Sequence, residues 1–285
     1  MTFNCNSVWR VGGGRQLALG AAGHLMAIVN VTPDSFSDGG RHASAAAAVE
    51  HALTCVKQGA VILDIGGEST KPNADPVDAA EEQARVLPVI EALARQTDAV
   101  ISVDTYRAET AKRALAAGAH IVNDVYGLQR DPDMARVVAE AGAGVVIMHT
   151  GRERHKLTDV IADQDVFLKT SIEMAERAGI GRDRIVLDPG FGFAKDVAEN
   201  TELMARFHEL QRFGLPLLAG TSRKRFIGAI TEREAADQRD VGTAATTALL
   251  RVAGAVIFRV HEIPGNRDAL RLADAVLAAQ RKMRA

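Results

Sequence analysis

The sequence predicts an α/β protein: a single-domain (β/α)8 TIM barrel with a short N-terminal hairpin extension. Three observations predict it. Short apolar, β-branched runs alternate strictly with longer Ala- and charge-rich stretches, and there are eight of each. The mean repeat, roughly 33 residues, is close to one βα unit. The length, 285 residues, suits a closed barrel of about 250 residues plus an extension. Alternation implies a parallel sheet, and eight units favour closure over an open doubly wound sheet. No dinucleotide-type glycine fingerprint follows the first run, which further disfavours the open sheet.

Residues 1–24 precede the repeat and form the expected extension; residues 25–285 form the expected barrel. In the extension, 7–11 and 15–19 flank Gly12-Gly13-Gly14 and read as a small hairpin covering the bottom of the barrel. The strand candidates are 25–31, 60–65, 100–103, 121–125, 144–148, 184–187, 215–219 and 255–260. Each is too short for a helix and suits a strand buried on both faces. The helix candidates are 43–58, 77–96, 107–117, 131–141, 164–178, 200–213, 240–252 and 267–282. Asp131-Pro132 places a capping side chain before a proline at the first helical position. Gly59, Gly118, Gly142, Gly179, Gly214 and Gly254 stand where helices should stop.

Composition narrows the function. A 47% hydrophobic content supports a sizeable core. Thirty-four Lys and Arg against 36 Asp and Glu leave a net charge of −2, so affinity for nucleic acid or a membrane surface cannot come from bulk charge. An anionic ligand needs a local cluster of cations. Cys5 and Cys55 make neither a disulfide framework nor a metal-ligand spacing. No signal peptide or membrane-length apolar run is evident, so the expected location is cytoplasmic.

Barrel enzymes work at the C-terminal ends of their strands. Those ends read, in order, Asn30; Asp64 with Glu68; Asp104; Asn123 with Asp124; His149; Asp188; Ser222-Arg223-Lys224; and Arg259 with His261. A single polar residue past a strand is commonly a cap or turn former. Eight on one rim point to a cleft.

Charge sorts this rim into two expected parts. Arg259 and His261 are two apart and face one way on a strand; Ser222 and Lys224 are read the same way on the preceding strand. Strands seven and eight are where this fold commonly holds phosphate, so the cluster reads as a phosphate or pyrophosphate pocket. The alternative is a surface ion pair at Arg223 and Lys224. The other part, Asp104, Asn123 and Asp188, suits a ligand with several N–H donors, such as an amino-substituted heterocycle. Asp188, before Pro189, also suits a plain turn. Residues 32–41 and 66–78 are rich in Pro, Gly, Ser and Asp and read as loops long enough to close over the rim, or as ordinary connections. The glycines of GFGFAK, 190–195, carry no specific signal.

Together these segments resemble dihydropteroate synthases. NVTPDSFSDGG at 30–40 and DIGGEST at 64–70 are similar to that family's two signatures. The match continues through VDT at 103–105, NDV at 123–125, DPGFGF at 188–193, GTSRKRFIG at 220–228 and RVH at 259–261. The resemblance implies a (β/α)8 barrel that joins p-aminobenzoate to 6-hydroxymethyl-7,8-dihydropterin diphosphate, with Mg²⁺, in folate synthesis. It implies pterin contacts from Asp104, Asn123, Asp188 and Lys224, with Met148 and Phe193 as apolar walls. Asp104, Asp188 and Lys224 become the catalytic candidates. Asn30 is the implied Mg²⁺ ligand and, with Arg259 and His261, the implied diphosphate contact. Phe36, Thr70, Phe193 and Ser222 border the implied p-aminobenzoate site, for which sulfonamides compete in this family. A homodimer through the last helices is the implied assembly.

The sequence departs from the family in three places. Lys71 stands where Arg is common, which keeps charge but loses the bidentate fork. HTGRERH at 149–155 replaces a longer Gly-x-Pro-x-x-Met-Gln form, and Glu262 stands where Asp is common. Two other readings compete: a pterin-binding methyltransferase module, which needs neither SRK nor RVH, and a non-catalytic paralogue that binds pterin without turnover.

Overall fold

Side-chain alternation along eight short strands organises the molecule. The computed structural model describes residues 6–31, 40–68 and 77–284. Strands β1 (Asn6–Arg10) and β2 (Gln16–Gly20) form an antiparallel hairpin. The parallel strands are β3 (His24–Asn30), β4 (Ile62–Gly66), β5 (Val100–Asp104), β6 (Ile121–Asp124), β7 (Gly144–Met148), β8 (Ile185–Asp188), β9 (Leu218–Ala219) and β10 (Ile257–Val260). Their order is β8-β7-β6-β5-β4-β3-β10-β9, and a parallel bridge from Leu187 to Leu217 joins the ends. The result is the expected (β/α)8 barrel.

Around it run α1 (Gly40–Gln58), α2 (Ala79–Gln96), α3 (Ala108–Ala116), α4 (Met134–Glu140), α5 (Val160–Arg177), α6 (Val197–Ala205), α7 (Arg225–Thr231), α8 (Asp240–Val252) and α9 (Pro264–Arg284). Outward strand residues such as Leu63, Ile65, Ile101, Val103, Val145 and Leu187 pack with helix residues such as Ala52, Val86, Ile90, Ala111 and Leu168. Inward residues form a separate apolar layer at the bottom: Met26, Ile62, Val100, Ile121, Val146, Val186, Leu218 and Ile257, one from each strand. Trp9, Val11 and Leu19 of the hairpin close this layer from below. The Trp9 indole N–H donates to the Arg184 carbonyl at 2.9 Å. Buried Arg251 of α8 ties the hairpin to the barrel, donating to Gly20 O at 2.8 Å and to Asp274 of α9 at 2.5 Å.

Several local expectations are corrected. Asp131 does not cap α4, which starts at Met134; its carboxylate instead accepts from the Ala108 and Asp133 amides, at 2.8 and 3.1 Å. The stretch read as one helix over 200–213 is α6 followed by a 3₁₀ segment, Phe207–Phe213. Arg184 ends a 3₁₀ turn rather than starting β8. Helix α7 was not anticipated. It begins directly after Lys224, so Ser222 and Lys224 do not lie on a strand: β9 stops at Ala219. The apolar run there is shortened by Gly220 and the turn that follows. No helix among the described residues is long and apolar enough to cross a membrane.

Candidate active site

Two residues above the apolar layer, the same inward series turns polar. Ile62 gives way to Asp64, Ile121 to Asn123, Val186 to Asp188 and Ile257 to Arg259. On β5 the series is Val100, Ser102, Asp104, and on β3 it reaches Asn30 at the exposed mouth. Period-two alternation carries each of these side chains inward.

Arg259 organises one side. Its Nε donates to Asp64 at 2.6 Å and its Nη2 to Asp104 at 2.6 Å. Asp64 also accepts from Asn123 Nδ2 at 3.0 Å, through the same oxygen. Its other oxygen is buried without a hydrogen-bond partner among the described residues. Burial opposes the charge on Arg259, but the two carboxylates outweigh it and hold the guanidinium protonated. Burial pushes Asp104 up to about 7; Arg259 opposes that shift and the Asp64 charge adds to it. The expected division into separate cationic and acidic parts is therefore corrected: Arg259 sits between the acids.

Asp188 organises the other side. Its Oδ1 accepts from the Gly190 amide at 2.7 Å, so it is a turn former as well as an inward acid. Its Oδ2 stands 3.4 Å from where a Cβ on Gly220 would lie, so glycine keeps that oxygen accessible to the barrel interior. Lys224 donates to the Phe191 carbonyl and lies 4.8 Å from the centre of the Phe193 ring. Burial lowers the Lys224 pKa to about 8 against the pull of Asp188; burial raises that of Asp188 against the pull of Lys224. Arg152 covers Phe193 at 4.6 Å. Phe193, Met148 and Val125 form an apolar wall backed by Tyr106 and Tyr126.

Other strand-end residues turn elsewhere. Asp124 points outward and accepts from the Tyr126 and Leu128 amides, both at 2.8 Å. Glu68 pairs with Arg107 at 2.6 Å, and Arg223 with Asp240 at 2.7 Å. Ser222 and His261 meet each other, Oγ to Nδ1 at 2.9 Å. Phe36, Thr70 and Lys71 lie outside the described residues, as do most of both loop candidates.

Sequence reasoning gave Asp64 no role, although it joins Arg259 to Asn123; its place two residues above Ile62 was the available signal. It also missed Lys195, Asp163 and Arg154, which gather around His149. No pattern in the sequence distinguishes them from ordinary surface charges.

The rim presents acceptors at Asp104 and Asp188, an amide at Asn123 and cations at Lys224 and Arg259, beside an apolar wall. That set suits a flat, N–H-rich heterocycle carrying an anionic tail. The profile of the family described as "Pterin binding enzyme" matches residues 26–261, which span the barrel from β3 to the end of β10. A dihydropteroate synthase of Escherichia coli (strain K12) is 42% identical over 267 residues, covering 92% of this chain and 94% of that protein. The Xanthomonas albilineans dihydropteroate synthase solved with 4-aminobenzoic acid superposes with a TM-score of 0.90 at 45% identity, covering 95% of this chain and 99% of that one. The same organism's enzyme in complex with 7,8-dihydropteroate gives 0.86 at 44% identity, covering 94% and 99%. The chain belongs to the dihydropteroate synthase family.

Proposed function

We propose that this chain condenses 6-hydroxymethyl-7,8-dihydropterin diphosphate with p-aminobenzoate, yielding 7,8-dihydropteroate and pyrophosphate. This is a transferase step of folate biosynthesis (EC 2.5.1.15). The observation that carries the reading is the inward convergence of Asp104, Asn123, Asp188, Lys224 and Arg259 on one rim, in a chain whose relatives bear that name. Residues 25–285 act as the pterin-binding barrel and residues 1–24 as its extension.

In this reading Asp104, Asn123, Asp188 and Lys224 hold the pterin, against Met148 and Phe193. An aryl amine is a weak nucleophile, so departure of the leaving group leads. The exocyclic C–O bond breaks, its electron pair leaves on pyrophosphate, and the pterin spreads the positive charge. Asp104 and Asp188 stabilise that charge through their carboxylates. The amine nitrogen then bonds to the methylene carbon and releases one proton to solvent. Arg259 and His261 receive the diphosphate; Ser222, bonded to His261, and Phe193 border the amine. Asp64 keeps Arg259 and Asn123 in place.

The residues at the mouth fit Mg²⁺. A Cβ on Gly66 would stand 3.9 Å from the Asn30 amide oxygen and 3.7 Å from Asp104 Oδ2, so glycine leaves the Asn30 oxygen uncovered on that side. Mg²⁺ favours such a site, with one or two protein oxygens and the rest water and phosphate. Asn30 would hold it. When bound, it supplies charge neutralisation for the departing diphosphate.

A cytoplasmic homodimer completes the proposal. Val241, Leu249 and Val252 of α8 and Leu272 and Val276 of α9 are exposed apolar side chains on adjacent helices, a surface suited to a second copy.

The test is pyrophosphate release from the pterin diphosphate, with and without p-aminobenzoate, at varied Mg²⁺. Mg²⁺-dependent release yielding dihydropteroate is the expected result. Tight pterin binding without turnover would replace this reading with that of a non-catalytic paralogue.

A further inference from the structure

A second group of ionisable side chains, buried at His149 and Asp163 and half-buried at Lys195 and Arg154, lies behind the pterin rim, and the reaction above does not use it. His149, just past β7, is fully buried. The Lys195 ammonium stands 2.9 Å from His149 Nδ1 and donates to the Gly190 carbonyl at 2.9 Å. On the far side of the ring, Nε2 is 2.9 Å from Asp163 Oδ2 of α5 and 2.8 Å from Arg154 Nη2. Arg154 and Asp163 are themselves paired.

Lys195 reaches the turn that presents Asp188 and Phe193. That turn is held at successive carbonyls: Gln164 donates to Pro189 O at 3.0 Å, Lys195 to Gly190 O, and Lys224 to Phe191 O. The His149 amide donates to Asp188 O at 2.8 Å. Lys195 thus grips the centre of the turn from behind, while its charge faces Asp188.

The hydrogen bonds around His149 are compatible with two proton arrangements. With Lys195 charged, the ammonium donates to Nδ1, and the ring proton sits on Nε2 facing Asp163. With Lys195 neutral, its lone pair accepts from Nδ1–H, and the bare Nε2 accepts from Arg154 and gives up its bond to Asp163, which stays paired with Arg154. One proton leaves to solvent between the two states, and the ring is neutral in both.

We propose that Lys195 is a positioning residue for the pterin end of the site: its ammonium holds the Gly190 turn, and His149 exchanges tautomer with the charge on Lys195. The inference rests on the proposed reaction. The groups facing Lys195 are His149, Asp188 from the end of β8, Lys224 at the start of α7, Asp163 of α5, and Arg154 and Lys156 between β7 and α5. Burial, then Lys224, lowers the Lys195 pKa to about 7, with Asp188 and Asp163 opposing. Burial, then Lys195, lowers that of His149 to about 3, which keeps the ring neutral. The charge on Lys195 is therefore present below about pH 7 and lost above it, so the grip on the turn weakens as pH rises.

Two readouts test this on the whole chain. The first is ¹⁵N NMR of the ring nitrogens, with His149 assigned by comparison with His149→Gln. The wild type should change tautomer between acidic and alkaline pH, and Lys195→Met should not. The second is the Kd of 6-hydroxymethylpterin, a probe without the diphosphate. Lys195→Met should weaken it about tenfold or more at pH 6.5, the effect of one charged hydrogen bond, with the KM for p-aminobenzoate within about twofold. Lys195→Arg, charged at every pH, should restore most of the affinity and remove the pH dependence near 7. If Lys195→Met does not fold, Lys195→Arg and the wild-type NMR titration carry the test. Unchanged pterin affinity in Lys195→Met, a pH dependence near 7 that persists in Lys195→Arg, or one tautomer at every pH overturns the proposal. A wild type that binds no pterin overturns the functional reading instead, and the NMR then decides the tautomer exchange alone.

Discussion

The bottom and the top of the barrel are built from the same eight strands and do opposite things. At the bottom, one apolar side chain from each strand packs against Trp9, Val11 and Leu19. Two residues further along, about 6.6 Å up the strand, the inward side chains are Asp64, Asn123, Asp188 and Arg259. The lower layer stabilises by removing apolar surface from water. The upper layer buries charges that partly neutralise one another, an arrangement that contributes little to stability on its own. Stability and chemistry are thus separated along the strand axis, and a substitution should affect mainly one of them.

The largest expected effect belongs to the bottom. Trp9→Ala removes a fully buried indole and its bond to Arg184. It should cost about 3–5 kcal/mol of stability, read by urea unfolding. The kcat/KM of the protein that remains folded should stay close to wild type. Loss of activity in a fully folded variant would break the separation.

Asp104→Asn should do the reverse. Turnover should fall by about 10²- to 10³-fold, the scale of removing one preorganised charge-stabilising group, with stability held or raised. The pH dependence sharpens the test. With its pKa raised from 3.8 to about 7, Asp104 binds its proton more tightly folded than unfolded. The stability it contributes is present at low pH and is lost as pH rises from about 4 to 7. Unfolding midpoints of the asparagine variant should lack that decline. Equal turnover in Asp104→Asn would remove the carboxylate from the mechanism.

Much of this division is legible in the sequence. A run such as Val100-Ile-Ser-Val-Asp104, buried on both faces, announces a parallel strand, and period two then places Ser102 and Asp104 on one face. The reading failed where a strand ended early. Residues 215–224 look like a strand running into SRK, but β9 holds only Leu218–Ala219, so Ser222 turns to His261 and Lys224 to Phe191. It also failed where partners are distant in the chain. Arg259 reaches Asp64 across 195 positions, and nothing local announces that an acid and a base will share one hydrogen-bond network. The cluster at His149 was invisible for the same reason: its contacts to Asp163 and Lys195 span 14 and 46 positions.

Gly190→Ala tests the junction between the turn and the barrel. Gly190 has φ of 66°, and a Cβ there would stand 1.9 Å from the His149 carbonyl oxygen. Because the obstructing atom is backbone, the turn itself must shift. The expected cost is about 1–3 kcal/mol, a smaller loss than at Trp9, accompanied by weaker pterin binding. Calorimetric titration with 6-hydroxymethylpterin beside a thermal melt reads both. Full pterin affinity in the alanine variant would show that the turn tolerates displacement without consequence for the site.

The smallest effect should come from Asp196, one residue beyond Lys195. Its carboxylate accepts from the Glu199 amide at 2.8 Å, and Glu199 returns the contact to the Asp196 amide at 2.7 Å, a reciprocal cap on α6. Asp196→Ala should cost about 1 kcal/mol and leave kcat and both KM values unchanged. The comparison needs this result, because Asp196 lies at the top of the barrel, yet its bonds go to helix amides and not inward. If it behaved like Asp104, nearness to the rim would be enough to make a residue matter. If it behaves as a cap, what distinguishes Asp104 and Asp188 is the direction that strand alternation gives their side chains.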